Sequence, residues 1–313
     1  MRSPRGSVVA LALMMTAGVS LSVGPAFAAK KAVKKAVKKT EEPERKPMEY
    51  DMSSAPMDAK DMNDRADERR NATIEKLKGL IPQMKDGDVR KAIRMFQLAE
   101  MYWKKSRYLY LKGMAGLEKE LDKWAAEGNK GSAPNIKTAP EYRESQTYKK
   151  ESLKLYRKIL KEYPKFDRND QVYYAMAMAH QEAGEKKKAA RKFRDLTKYH
   201  PKSDYAADAY LQLGEYFFNS GAHNLSKARQ SYARASKSKK PRIYSFAVYK
   251  LAWCDYNLTN YDDSLSKFKE VVRYSLDKTV ATGKGQMSKK DQIQLIEEAL
   301  SDMVRTYSHL DAV

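Results

Sequence analysis

Cysteine and histidine are scarce in this chain of 313 residues. The single cysteine, Cys254, excludes an intrachain disulfide and any zinc site built from cysteine pairs. The four histidines, His180, His200, His223 and His309, show no spacing typical of a metal-binding or catalytic motif. Neither a glycine-rich phosphate-binding loop nor a nucleophile elbow is present. We therefore expect a protein that is not an enzyme and holds no metal or cofactor.

Glycine and proline are also few, at 14 and 11 residues, whereas tyrosine is abundant at 21. Few helix-breaking residues and long stretches rich in Ala, Leu, Lys and Glu favour helices over a β-sandwich. Hydrophobic residues make up 42% of the chain, which is enough to bury a core over most of its length. The composition therefore predicts an all-α protein.

Acidic residues are outnumbered by basic ones, so the chain has a formal net charge of +21 and a pI near 9.6. Such an excess suits three classes of partner: nucleic acid, anionic membrane or cell-wall polymers, and acidic proteins. Charge alone does not choose among them.

The start of the chain has the pattern of a secretory signal peptide. A basic N-terminus precedes an uncharged apolar run over residues 8–23, and Ala26-Phe27-Ala28 is typical of a cleavage site. We predict a cleaved signal peptide over residues 1–28 and a periplasmic protein, with an inner-membrane anchor over residues 8–28 as the alternative. Because no cysteine follows the leader, a lipoprotein is not expected. Export also removes nucleic acid from the expected partners.

Residues 29–62 are predicted to form a disordered, lysine-rich tail and linker. Paired lysines recur every four residues at its start, and like charges at this spacing disfavour a helix. Two roles remain open for these lysines: an electrostatic tether to an anionic membrane or cell-wall surface, or a solvated spacer. The tether lysines are Lys30, Lys31, Lys34, Lys35, Lys38 and Lys39.

A two-helix unit occurs three times in the second half of the chain. In each copy the first helix carries a small residue near aromatic ones, and the second carries a small residue followed by an aromatic one. The small residues of the first helices are Ala177, Gly214 and Ala252, which lie 37 and 38 positions apart. The pattern resembles the tetratricopeptide repeat (TPR), whose helix pairs must stack because one pair alone leaves its apolar face exposed. The resemblance implies a right-handed superhelical solenoid of TPR-like helix pairs.

Less regular segments flank these repeats. We predict N-terminal helices with a split, degenerate repeat over residues 63–168, TPR-like repeats over 169–275, a loop over 276–290, and a final half-repeat or cap helix over 291–313. The split repeat pairs Met95, Leu98, Ala99 and Tyr102 with Ser152, Tyr156, Ile159 and Pro164.

The stretches PKSDYAADAYLQLGE (residues 201–215) and YKLAW (residues 249–253) resemble periplasmic TPR proteins of Gram-negative bacteria. These relatives include proteins associated with the Tol–Pal system, with outer-membrane protein assembly and with gliding motility in myxobacteria. The resemblance implies a non-enzymatic scaffold that binds envelope proteins. Two alternatives stay open: the helical superstructure of a cell-wall enzyme, and a basic protein that binds an envelope polymer.

In TPR proteins the first helices line the concave face, and this chain places many aromatic residues there. The resemblance implies a partner-binding groove, with internal packing of the same side chains as the alternative. The predicted groove consists of Tyr174, Met178, Gln181, Leu211, Glu215, Phe218, Asn219, Phe246, Tyr249, Trp253, Tyr256 and Asn257. Asn219 and Asn257 stand where TPR relatives hydrogen-bond the backbone of a ligand peptide. The lysine and arginine clamp for an acidic C-terminal peptide is missing, so that ligand is not expected.

Three further features are expected to be structural. His180 and Cys254 are predicted to be packed in the core. A basic run on a second helix is predicted to form a solvated convex face. Its members are Lys186, Lys187, Lys188, Arg191, Lys192 and Arg194.

Overall fold

The computed structural model describes residues 59–277 and 288–310. The predicted signal peptide, the tether lysines and most of the predicted tail lie outside the described residues. Within the described ranges the chain forms helices and no strand, which confirms the all-α class. None of the helices in these ranges is both long enough and apolar enough to cross a membrane.

Ten α-helices follow one another in the described ranges. They are α1 (Ala59–Leu80), α2 (Val89–Ala126), α3 (Pro140–Glu162), α4 (Asn169–Glu182), α5 (Lys186–Tyr199), α6 (Ala206–Phe218), α7 (Leu225–Ala235), α8 (Pro241–Asn257), α9 (Tyr261–Leu276) and α10 (Lys289–Leu310). Short 3-10 turns occupy Ile81–Gln83, Ile136–Thr138 and Ala222–Asn224.

The helices pack in pairs along the chain, and each pair also packs on its neighbour. The pairs are α2 with α3, α4 with α5, α6 with α7, and α8 with α9. Further contacts join α5 to α6, α7 to α8, and α9 to α10. This arrangement is that of stacked helix pairs in a TPR-like solenoid.

Small residues allow the two helices of a pair to approach closely. Ala177 and Ala252 are fully buried, and Gly214 lies against the ring of Tyr232. The Tyr232 hydroxyl donates a hydrogen bond of 2.7 Å to Glu215 Oε1, so the buried ring has a fixed position. The small-residue pattern of the sequence therefore marks the inner contact of each pair.

The split repeat consists of the two long helices α2 and α3. Met95, Tyr156 and Ile159 are buried in one core cluster between them. The Ser152 hydroxyl donates a hydrogen bond of 2.8 Å to the carbonyl oxygen of Ala99. A loop over residues 127–139 connects the helices, so the repeat is completed by residues distant in sequence.

Helix α1 packs on α2 through its apolar stripe and one buried ion pair. Ile74 and Leu77 are buried, and Lys105 of α2 donates to Asp67, both side chains being almost fully buried. In the sequence, Ile81 and Met84 continue the helical spacing of Ile74 and Leu77, but α1 ends at Leu80. The last part of the stripe therefore lies in a 3-10 turn and the loop after it.

Helix α10 docks through one face and leaves the opposite face open. Leu295 and Ala299 are buried in a cluster with α8 and α9. Leu300, Val304 and Tyr307 are 45%, 73% and 55% exposed. Met303 also packs on this cluster, whereas the three exposed residues lie on the other side of the helix.

Candidate partner-binding groove

The first helices α4, α6 and α8 are joined by direct polar contacts, so the predicted groove residues lie on adjoining elements. The Tyr174 hydroxyl of α4 donates to the Asp208 carboxylate of α6. Lys250 of α8 forms an ion pair of 3.1 Å with Glu215 of α6. The predicted groove residues thus form three clusters, one on each of these helices, and the three helices lie side by side in one row.

Charge is segregated between the first and second helices of the central pairs. The first helices α4 and α6 carry only acidic charged side chains apart from histidine, namely Asp170, Glu182, Asp208 and Glu215. The second helices α5 and α7 carry seven and three lysines or arginines. On a chain of net charge +21, two of the three groove helices are therefore acidic, while α8 carries Arg242 and Lys250 together with Asp255.

The first cluster of the groove is well packed around Tyr174. Its ring lies 4.8 Å from the Tyr205 ring and 6.0 Å, edge to face, from the Phe193 ring. Burial, reinforced by the neighbouring Asp208 carboxylate, raises the pKa of Tyr174. The hydroxyl therefore stays a protonated donor, and Tyr174 serves the α4–α6 contact. Met178, one turn further along α4, is half-buried.

The second cluster offers apolar surface. Leu211 and Phe218 of α6 are half-buried. The Lys250 ammonium lies 5.6 Å from the centroid of the Phe218 ring and also pairs with Glu215. The ring and the ion pair therefore form one patch, in which an apolar anchor adjoins a neutralised charge.

The third cluster is held by α10, which sequence reasoning missed. Asp302 Oδ2 accepts hydrogen bonds from the Tyr249 hydroxyl at 2.7 Å and from Trp253 Nε1 at 3.1 Å. The Tyr256 hydroxyl lies 2.9 Å from His309 Nε2. Burial raises the pKa of Tyr249, with the Asp302 hydrogen bond adding to the effect. These three aromatic residues therefore support the docking of α10, while Phe246 is half-buried on α8 with no hydrogen-bonding group of its own.

The two groove asparagines have the same local role in successive repeats. Asn219 Nδ2 donates to the carbonyl oxygen of Glu215 at 2.8 Å, and Asn257 Nδ2 donates to that of Trp253 at 2.7 Å. Each amide thus adds a side-chain donor to a carbonyl group near the end of its own helix, and the Glu215 carbonyl also accepts from the backbone N–H of Asn219. Only one N–H of each amide is engaged in this way, so a ligand backbone would meet the amide oxygen or the second N–H.

His180 and Cys254 are core residues, as the sequence predicts. His180 is 5% exposed, and its Nδ1 lies 2.6 Å from Glu185 Oε2. Cys254 is fully buried, and burial, with Asp255 beside it, raises the pKa of its thiol to about 12. In the described part of the chain, no three His, Cys, Asp or Glu side chains are grouped so that they could hold a metal ion.

The buried thiol should resist modification at neutral and mildly alkaline pH. Because the thiolate is the reactive form, a pKa of about 12 leaves almost none at pH 8 in the folded protein. We expect thiol labelling by Ellman's reagent to be slow at pH 7 to 9 and complete within minutes in denaturant. Fast labelling of the folded protein at pH 8 would show that Cys254 is accessible.

Comparison with known proteins identifies the central helix pair. Residues 171–203, which span most of α4 and all of α5, match the sequence profile described as Tetratricopeptide repeat. No curated protein sequence matches the chain.

Solved structures provide similar chains at low identity. The crystal structure of BtubC (BKLC) from P. vanneervenii has 16% sequence identity and a TM-score of 0.48, with 80% of this chain and 89% of that chain covered. Two crystal structures of MamA have 15% and 17% identity and TM-scores of 0.34 and 0.35. They cover 63% and 54% of this chain, and 91% and 96% of their own.

Proposed function

We propose that this tetratricopeptide-repeat protein is an exported, non-enzymatic scaffold that binds envelope proteins through the groove of α4, α6 and α8. The observation that carries the proposal is the row of half-buried apolar side chains on helices that carry acids. Surface of this kind supplies binding energy to a protein partner, because partly exposed aromatic and large apolar groups can still be desolvated.

The groove residues divide into two groups by their contacts within the chain. Tyr174, Tyr249 and Trp253 have hydrogen-bond partners on a neighbouring helix and serve packing. Met178 and Phe218 are half-buried and contain no hydrogen-bonding group. We therefore assign partner contact mainly to the second group, with Leu211 and Phe246. Lys250 neutralises Glu215, but the other three acids of α4 and α6 have no ion pair in the described part of the chain. They favour a partner segment that combines apolar anchors with lysine or arginine.

Export is supported by the leader pattern, and the envelope setting by the resemblance of residues 201–215 and 249–253 to periplasmic TPR proteins. A gliding-motility, Tol–Pal or outer-membrane assembly complex would suit such a scaffold. The tail lysines would then hold the protein near an anionic membrane or cell-wall surface. Mass spectrometry of protein from the periplasmic fraction tests export, because cleavage after Ala28 predicts an N-terminus at Ala29.

Removing the half-buried side chains of Met178 and Phe218 should weaken partner capture. Both also pack against buried clusters, so melting temperatures are measured beside capture. The double variant Met178→Ala with Phe218→Ala is expected to lower affinity for the envelope partner by at least about 10-fold, since buried anchors each contribute 1 kcal/mol or more. The measurement is co-purification of crosslinked envelope proteins, quantified against the wild-type chain.

The matched control removes exposed apolar groups outside the groove. Leu111→Ala with Leu276→Ala deletes side chains that are 62% and 63% exposed and should leave capture unchanged. Equal capture by wild type and the groove variant, with unchanged melting temperatures, contradicts the proposal. Alanine at Tyr249 and Trp253 would be a poorer test, because both side chains hold α10 through Asp302.

A further inference from the structure

The basic residues of α5 fall into two groups by their partners. Lys188 pairs with Glu185 at 2.6 Å, and Lys192 pairs with Asp195 at 2.9 Å. These two acids are thereby engaged on one side of the helix. The second group consists of Lys187, Arg191 and Arg194. Their side chains have no hydrogen-bond or ion-pair partner in the described part of the chain.

The three unpaired cations converge on one cleft. Their spacing of four and three residues puts them on one face of α5. With Ala190 and Tyr216 of α6 they line a cleft of about 180 Å³. Sites for drug-sized ligands have about 300–1,000 Å³, so this volume suits one small chemical group.

Like charges at this spacing repel one another, and an anion in the cleft would relieve the repulsion. Arginine presents paired N–H donors that fit the oxygens of a phosphate, and lysine adds a compact charge. Three cations match a phosphate group better than a single carboxylate. Tyr216 of α6 also lines the cleft, and its side chain carries a neutral hydroxyl group.

We propose that the α5 cleft, formed by Lys187, Arg191, Arg194 and Tyr216, binds the phosphate group of an anionic lipid headgroup. The proposal adds a ligand to a basic run that the sequence predicts to be a solvated face. The site is separate from the groove, because its three cations lie on a second helix and none of its residues belongs to the predicted groove.

A lipid surface suits the surroundings of the cleft better than a single soluble phosphate. The series of basic residues on α5 continues beyond Arg194 to Lys198, whose ammonium lies 5.1 Å from the centroid of the Tyr199 ring. That ring is 57% exposed at the end of the helix. Exposed tyrosines among lysines are typical of side chains at the headgroup level of a membrane. The neighbouring second helix, α7, carries basic residues and no acid.

The test compares two triple variants of equal charge. The site variant carries Lys187→Gln, Arg191→Gln and Arg194→Gln, and the control carries Lys186→Gln, Lys188→Gln and Lys192→Gln. Both are made in the full chain with the six tether lysines changed to Gln, so that the tail does not dominate binding. The readout is the ratio of partitioning onto vesicles of phosphatidylglycerol with phosphatidylcholine to that onto phosphatidylcholine alone. Any contribution of the apolar leader cancels in this ratio.

The site variant is expected to lower the ratio on the order of 100-fold, because three unpaired cations leave the surface. The control should lower it by less than about 10-fold, since its three lysines do not line the cleft although their removal changes the net charge equally. Equal losses in the two variants would mean diffuse attraction and overturn the proposal. Melting temperatures of both variants verify folding.

Two further measurements keep the result decisive. The variant Arg191→Lys with Arg194→Lys retains the charge and should still weaken vesicle binding, because it loses the paired donors. Titration with inorganic phosphate distinguishes the source of the anion. If phosphate binds the wild type and not the site variant, while the vesicle ratios of the two variants are equal, then a soluble anion is the ligand and the lipid assignment is wrong.

Discussion

Replacing Gly214 with alanine is expected to destabilise the protein by about 2–3 kcal/mol, although alanine is the better helix former. A β-carbon built at Gly214 would overlap the aromatic ring of Tyr232. That ring is fully buried, and its hydroxyl is bonded to Glu215, so it cannot move aside. The close approach of α6 and α7 therefore depends on the missing side chain. Thermal or denaturant unfolding of the variant measures the effect.

The control for this prediction is a helical glycine without neighbours. A β-carbon at Gly116 of α2 would meet nothing within 4 Å, so Gly116→Ala should stabilise the protein by up to about 1 kcal/mol. Trimming the ring in the double variant Gly214→Ala with Tyr232→Leu should recover part of the loss, because the two changes act on one contact. If Gly214→Ala is as stable as wild type, the packing described for α6 and α7 is incorrect.

Neutralising both cations around Asp255 is expected to cause the second large loss of folding stability. The Asp255 carboxylate is fully buried on α8. Arg229 of α7 and Lys267 of α9 approach its two oxygens, each at 2.7 Å. The variant Arg229→Met with Lys267→Met leaves a buried carboxylate without its charge partners and should cost about 3–5 kcal/mol. Denaturant unfolding at pH 7 measures the loss.

Two comparisons separate this effect from a general change of charge. Lys269→Met with Arg273→Met removes two exposed cations of α9 and should change stability by no more than about 0.5 kcal/mol. Adding Asp255→Leu to the destabilised variant should restore much of the loss, since the buried charge disappears. A destabilised variant that Asp255→Leu does not improve would mean that the two cations act through some other contact.

The helix pairs were predictable because their signals are local. Ala177, Gly214 and Ala252 mark the close contact of each pair, and the residues that flank them repeat at helical spacing. The split repeat could also be predicted despite its long insertion, because Ala99 and Ser152 fit the first and second helices of one unit.

The contacts between repeats could not be predicted in the same way. Asp302 meets Tyr249 and Trp253 across about 50 positions of sequence, and no local pattern connects them. Helix α10 has two apolar faces, and periodicity alone does not say which one is buried. The charged residues of α5 show the same difficulty, since only the structure separates the paired Lys188 from the unpaired Arg191.

Charge segregation follows from these contacts and links the two proposals. The acids lie on the first helices α4 and α6, which contribute to the groove, whereas the cations of α5 and α7 lie on second helices. A scaffold with this division could hold a protein on one set of helices and an anionic surface on the other. Each half of this account has its own test and can fail without the other.

Site-specific photocrosslinking in living cells tests the central claim most directly. A photoreactive amino acid is placed in the full chain at Leu211 or Phe218 in the groove, and at the exposed Lys154 or Lys269 on second helices. The account predicts that both groove positions give the same envelope-protein adduct, and that the second-helix positions do not. Adducts of equal yield from all four positions, or from the second helices alone, would contradict it.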